Sequence, residues 1–149
     1  MIKIVKDFEM MTIPCELVVD TEEGRKIADI LFKVLEHNND GIGLAANQIG
    51  FKKSVCIVNV KRPLYFINPQ IIGKTGEIIL EEGCLSFPKR VVKTKRHRQI
   101  LVRADNFEQD VLYGVKGDFG EDVLEAVCIQ HEIDHLNGIT MFDRRYEED

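Results

Sequence analysis

Residues 121–138 read EDVLEAVCIQHEIDHLNG, a helical stretch brought to a stop by Gly138. Val127, Ile129, Ile133 and Leu136 flank its polar residues on several sides, so the helix is expected to be largely buried. It carries two of the chain's four histidines, His131 and His135, with Glu132 beside the first. Positions i and i+4 share one helix face. Two imidazoles one turn apart can hold one metal ion, and Glu132 is adjacent in angle and can reach a water on that ion. This is the H-E-x-x-H arrangement of metal-dependent hydrolases. Histidines buried among apolar neighbours need partners, which disfavours two idle surface imidazoles.

The rest of the chain supplies what can cover such a helix. Its 149 residues, 44% apolar and 30% charged, fit one globular domain over 1–149. Residues 20–39 form an N-terminal helix, capped by Asp20 with Glu23 placed to reach back. Ile27, Ile30, Leu31, Val34 and Leu35 make its core stripe, and residues 38–41 (NNDG) end it. SVCIVNV (54–60) is a buried strand. LYFINPQII (64–72) and GEIILEEG (76–83) are strands broken at Asn68–Pro69 and Gly83, and 98–105 with 108–117 form a hairpin around DNFE. Strands lying between two helices predict an α+β class, with helices segregated from a largely antiparallel sheet.

Several classes are disfavoured. No apolar run approaches the ~18 residues of a membrane span, and MIKIVKDFEM lacks the apolar stretch of a secretory leader. A net charge of −5 and pI near 5.4 argue against nucleic acid as a partner. The basic run KRVVKTKRHR (89–98) reads as a solvated strand face. The four cysteines, at 15, 56, 84 and 128, form no C-x-x-C pair, so free thiols in a reducing cytoplasm are expected. Cys15 and Cys56 read as small buried hydrophobes.

A catalytic metal needs a third protein ligand and one open position. No histidine follows His135, so the third ligand is sought upstream. Cys84 is the candidate, in EEGCLSFP at a strand end where Gly83 and Pro88 force irregular backbone. Two rivals stand beside this reading. A zinc endopeptidase would take its third ligand downstream. A structural zinc module would close a Cys₂His₂ site from Cys84, Cys128, His131 and His135, but i to i+7 spans about 10 Å of helix rise, which favours Cys128 as apolar wall.

Together, GIGLAANQ (41–48), EEGCLSFP and QHEIDHLNG resemble the three signature motifs of peptide deformylase, G-x-G-x-A-A-x-Q, E-G-C-L-S and Q-H-E-x-D-H, in the same order and without gaps. The usual Pro-Asp-Pro near the N-terminus is absent, and the extra C-terminal helix of many bacterial members is not expected. The resemblance implies hydrolysis of the formyl group from formyl-methionyl nascent peptides, with the ribosome exit as a place of action; a cytoplasmic protein needing neither nucleic acid nor membrane is expected, with a monomer favoured and the oligomeric state left open. It implies that Cys84, His131 and His135 hold one divalent ion, Fe²⁺ natively, with Zn²⁺, Ni²⁺ or Co²⁺ as substitutes. Glu132 is then the general acid and base. Gln48, through its side-chain amide, and Leu85, through its backbone N–H, are the oxyanion donors.

Gly41, Ile42 and Gly43 are expected to let a peptide backbone approach and pair by strand addition. Glu82 reads as a solvated strand-end charge, or as an anchor for the loop or for the substrate's amine region. Leu124, Val127 and Cys128 are expected to line an apolar pocket for the methionine side chain. Asp134 is expected to orient a ligand histidine or to pair with a basic residue such as Arg96. Ala45 and Ala46 read as packing, and His37 and His97 as ordinary.

Overall fold

The computed structural model describes residues 2–38, 41–114 and 120–147. Helix α1 spans Thr21–Glu36, and helix α2 spans Glu121–Leu136. Strands β1 (Gly43–Ala45), β2 (Val55–Asn59) and β3 (Pro63–Ile67) form one antiparallel sheet in that order. Strands β4 (Gln70–Thr75), β7 (Gln99–Arg103) and β8 (Val111–Tyr113) form a second, ordered β4-β7-β8. Strands β5 (Ile78–Cys84) and β6 (Phe87–Arg96) make a separate hairpin. Every pairing between these strands is antiparallel.

The alternation along β2 places the two helices. Val55 and Ile57 pack with Leu31, Leu35 and Leu44 on the α1 side. Cys56 and Val58 pack with Ala126, Ile129 and Ile133 on the α2 side. A strand covered on both faces reads as one continuous apolar run, which is why SVCIVNV shows no polar alternation. The helices are therefore divided by the sheet rather than segregated to one side of it. On the other flank of α2, Val123 and Val127 pack against Ile78 and Leu80 of β5. The H-E-x-x-H helix is thus enclosed by strands, and His135 is fully buried.

Asp20 caps α1, its carboxylate accepting from the Glu22 N–H at 3.0 Å. Glu23 makes no return bond among the described residues. Ile30 is half-buried, as is Cys15. The run 64–72 changes sheets at Asn68, which stands at φ 50°. Its side chain holds that corner by bonding both backbone groups of Val18 at 2.8 Å. Residues 41–48 contain β1 and most of the 3-10 turn Ala46–Ile49. The basic run lies on β6, where Lys89, Arg90, Lys93 and Lys95 are exposed, while Val92, Thr94 and Arg96 face inward. Gly138, at φ 75°, follows α2 where a left-handed residue is needed to stop it. Asn39 of the expected α1 end, Asp40 of its turn and residues 115–117 of the expected hairpin lie outside the described residues.

A candidate metal centre

Two elements carry the candidate ligands. His131 and His135, one turn apart on α2, bring their Nε2 atoms to 3.1 Å with ring centroids 4.7 Å apart. Cys84 ends β5, just after a register irregularity between Glu82 and Cys84, and its Sγ lies 3.3 Å from His135 Nε2. All three ligand atoms fall within 4.8 Å of one another. A tetrahedral ion about 2.0–2.3 Å from each donor separates donor pairs by roughly 3.3–3.6 Å, so small shifts would admit one. Desolvation works to lower His131, yet its hydrogen bonds with Cys84 and Glu82 hold it well above its usual value. Burial, followed by the charge of His131, pushes His135 well below its usual value, which leaves it neutral as a ligand must be.

Cys128 is not in this cluster. Its Sγ hydrogen-bonds the Ile42 carbonyl at 3.7 Å, and burial pushes its thiol far up, so it stays protonated. Among the described residues, the grouping that could hold an ion is the three-residue one of Cys84, His131 and His135.

Glu132 is buried next to the ligands (4% exposed), and its Oε1 has no hydrogen-bond partner among the described residues. Burial pushes its carboxyl up to about 7. Gly43 makes room for it. A Cβ on Gly43 would sit 2.6 Å from Glu132 Oε2 and 2.8 Å from Cys128 Sγ. Gly43 was expected to clear space for a substrate backbone; the direction its missing Cβ leaves open is filled by the protein's own helix, while residues 41–43 line the cavity beside it. Gly41 acts similarly, since a Cβ there would meet Leu35 and Leu85 side chains at 2.8 Å.

Gln48 is buried in the turn after β1, its Oε1 fixed by the Ala45 N–H at 2.9 Å. That anchor sends Nε2 toward the centre, where it donates to Ser86 Oγ at 3.1 Å and Cys84 Sγ at 3.6 Å. The sulfur contact is long and weak, so that N–H can turn to a stronger acceptor. Leu85 lies in the tight turn between β5 and β6, directly after Cys84.

Glu82 was expected as a solvated charge, or as an anchor for the loop or the substrate. Its two oxygens are occupied within the fold. Oε1 accepts from His131 Nδ1 at 2.8 Å and Arg96 Nη2 at 2.9 Å, and Oε2 accepts from Arg96 Nε at 2.6 Å and Thr94 Oγ1 at 2.5 Å. Burial alone would raise its carboxyl, but His131 and Arg96 outweigh it and hold Glu82 well below the usual carboxylate range. A carboxylate on Nδ1 fixes the tautomer that leaves Nε2 free to ligate. The orienting role weighed for Asp134 thus belongs to Glu82. Asp134 accepts from Arg96 Nη1 at 2.5 Å, its other expected role, and from Arg144 through both oxygens at 2.9 Å.

Arg96, only 3% exposed, neutralises two buried carboxylates. Arg96→Met should therefore cost roughly 3–5 kcal/mol, because it strands buried charge rather than merely deleting a pair. Urea unfolding against the wild type measures this, and a loss under 1 kcal/mol would contradict the account.

A cavity of about 550 Å³ opens onto the centre. Its walls bring together Gly41, Ile42, Gly43, Gln48 and Leu85 with Leu124, Val127 and Cys128 of α2, along with both histidine-side groups His131 and Glu132. Sequence reasoning missed Ser86 and the orienting partnership of Glu82 with Arg96 and Thr94. The inward alternation of Val92, Thr94 and Arg96 within a basic run was the available signal.

The polypeptide deformylase family model matches residues 1–149. A peptide deformylase of Hydrogenovibrio crunogenus is 40% identical over 127 residues, covering 83% of this chain and 72% of its own length. The crystal structure of peptide deformylase from Thermotoga maritima superposes with a TM-score of 0.81 at 30% identity, over 99% of this chain and 97% of that one. The peptide deformylase of Synechococcus elongatus, solved in complex with actinonin, gives 0.82 at 29% identity, over 99% of this chain and 79% of that one.

Proposed function

This chain belongs to the polypeptide deformylase family, and from that premise we propose how its own residues carry out the reaction. The enzyme removes N-terminal formyl groups from peptides: water and the formamide become formate and a free amine. The observation that carries the residue assignment is the convergence of three ligand atoms within 4.8 Å beside a buried carboxylate with an unpartnered oxygen.

Cys84, His131 and His135 are the residues that would hold a divalent ion, which supplies the Lewis acidity that makes water nucleophilic near neutral pH. A thiolate with two imidazoles suits Fe²⁺ or Zn²⁺, and Fe²⁺ is the native ion we propose, with Ni²⁺ and Co²⁺ as substitutes. Glu132 accepts the proton of the attacking water as the new C–O bond forms at the formyl carbon. It returns that proton to the departing nitrogen as the C–N bond breaks. A carboxyl raised to about 7 is suited to both roles. Gln48 Nε2–H leaves the Cys84 sulfur and, with the Leu85 N–H, donates to the developing oxyanion.

Two contributions set selectivity. A formyl carbon bears only hydrogen, so the tight turn at Leu85 can admit it and turn away larger acyl groups. The side chain that follows enters the cavity against Leu124, Val127 and Cys128, where a flexible thioether fits an irregular apolar wall. Beyond it, the peptide backbone lies along residues 41–43 by strand addition. Nascent formyl-methionyl chains in the cytoplasm are the substrates we propose.

Gln48→Ala should lower kcat by about a hundredfold with a smaller change in KM, since the lost donor acts on charge that develops in the transition state. Steady-state kinetics with the metal-loaded protein measure the split; an effect confined to KM would remove Gln48 from the oxyanion site. The reading as a whole is tested with formyl and acetyl peptides, following formate or acetate release. Formyl-Met peptides should be cleaved at least about tenfold faster than acetyl-Met peptides or formyl peptides beginning with a charged residue. Equal rates across the panel, or cleavage of internal bonds, would overturn it.

A further inference from the structure

One side chain outside the reaction scheme is joined to it by an unbroken series of charged hydrogen bonds. Arg144 lies in the 3-10 turn Met141–Arg144, beyond α2 in the chain. That segment is seated on β6 by the Thr94–Arg145 bridge and by the Tyr146 N–H donating to the Lys93 carbonyl at 2.8 Å. Arg144 Nε and Nη2 grip Asp134 Oδ2 and Oδ1, both at 2.9 Å, so the carboxylate plane is set by a two-point contact. Asp134 Oδ2 also accepts from Arg96 Nη1 at 2.5 Å. The opposite edge of the Arg96 guanidinium holds Glu82 at 2.6 and 2.9 Å, and Glu82 Oε1 holds His131 Nδ1 at 2.8 Å.

We infer that Arg144 is a positioning residue for the metal ligand His131, acting through Asp134, Arg96 and Glu82. The geometry favours transmission over a local role. Arg96 is planar and gripped on both edges, so a change in where Asp134 sits rotates the guanidinium as a unit and shifts Glu82 with it. The three intervening residues are all buried, whereas the Arg144 side chain is 43% exposed. Arg144 is therefore by far the most exposed link of this series, and it belongs to the segment beyond α2. A cavity of about 720 Å³ on that side has Arg96, Asp134 and Arg144 in its wall.

The inference rests on the ligand set proposed above, and its test is separate from turnover. The wild type loaded with Co²⁺ is mixed with excess chelator, and ion release is followed by the visible absorption of the bound cobalt. Arg144→Gln should release the ion roughly tenfold faster, at the low end of what losing an outer-sphere support costs. It should also shift the cobalt absorption band, because His131 is re-aimed. Arg144→Lys, which keeps the charge but not the two-point grip, should fall between Gln and wild type. Arg103→Gln is the control. It breaks a similar two-point pair, with Asp110 at 3.0 and 3.1 Å, that has no path to the ligands, and should leave both readouts unchanged. Lower thermal stability of Arg144→Gln with unaltered release and spectrum would overturn the inference, as would an equal effect of Arg103→Gln. Thermal stability measured in parallel identifies a variant that has simply unfolded, and the Lys variant then decides. Failure of wild type to release formate would strike the functional reading alone; failure to bind one cobalt per chain would strike the ligand set.

Discussion

Glu132→Gln should abolish turnover while leaving the metal in place. The amide has nearly the carboxylate's shape, and Glu132 is not among the grouped ligand atoms. What it loses is the ability to take the proton of water and hand it to nitrogen. Removing a positioned general acid and base typically costs roughly 10²–10⁴ in rate. Here the loss should lie near the upper end, because one group serves both halves of the reaction. Stability should not fall. Glu132 is buried, its Oε1 is unpartnered, and burial already disfavours its charged form, so a neutral amide is no worse accommodated. Formate release, metal content and urea unfolding on one preparation separate these outcomes. Near-wild-type turnover would remove Glu132 from the chemistry and revive the reading of the centre as a purely structural site.

Cys84→Ala should empty the centre. Two imidazoles on adjacent turns of one helix remain, but the thiolate is the only ligand contributed from outside α2. Its loss removes the anionic donor and one of three protein ligands together. Activity should fall below detection, and elemental analysis should find far less than one ion per chain. The fold should survive, since Cys84 is half-buried at the end of β5 and belongs to none of the three apolar clusters. One tightly held ion in this variant would strike Cys84 from the ligand set.

Much of this was legible from residues alone, for identifiable reasons. The i, i+4 spacing of His131 and His135 is a local property of a helix, so it passes directly into geometry. The strand break at Asn68–Pro69 was equally local. The ligand outside the helix was reached by combining a chemical requirement with a short motif. What could not be read is what depends on two distant segments meeting. Glu82 looked like a strand-end charge because nothing near it in sequence announces Arg96, fourteen positions on and across the hairpin. Gly43 was singled out from its motif, but the motif does not tell that the group filling its missing Cβ lies on α2. The division of the helices by β2 was hidden in the same way. A run buried on both faces carries no alternation from which to infer two coverings.

The separateness of the β5–β6 hairpin has a consequence for how the protein breathes. Among the described residues it shares no strand pairing with either three-stranded sheet, and an isolated two-stranded hairpin is marginal in water. Beyond side-chain packing, its anchorage to α2 runs through the Glu82 and Arg96 contacts, the paired hydrogen bonds between Gln130 and the His97 backbone just past β6 and, when an ion is bound, the bond through Cys84. The ion then works as a tether between two parts of the molecule that would otherwise part at lower cost. Opening of the hairpin and departure of the ion become one event, since neither can proceed far without the other. Anything that binds only the closed form lowers the frequency of that event in proportion to its occupancy. A peptide lying in the cavity touches both sides of the tether. Catalytic use should therefore protect the centre from losing its metal, and the enzyme should be most fragile when idle.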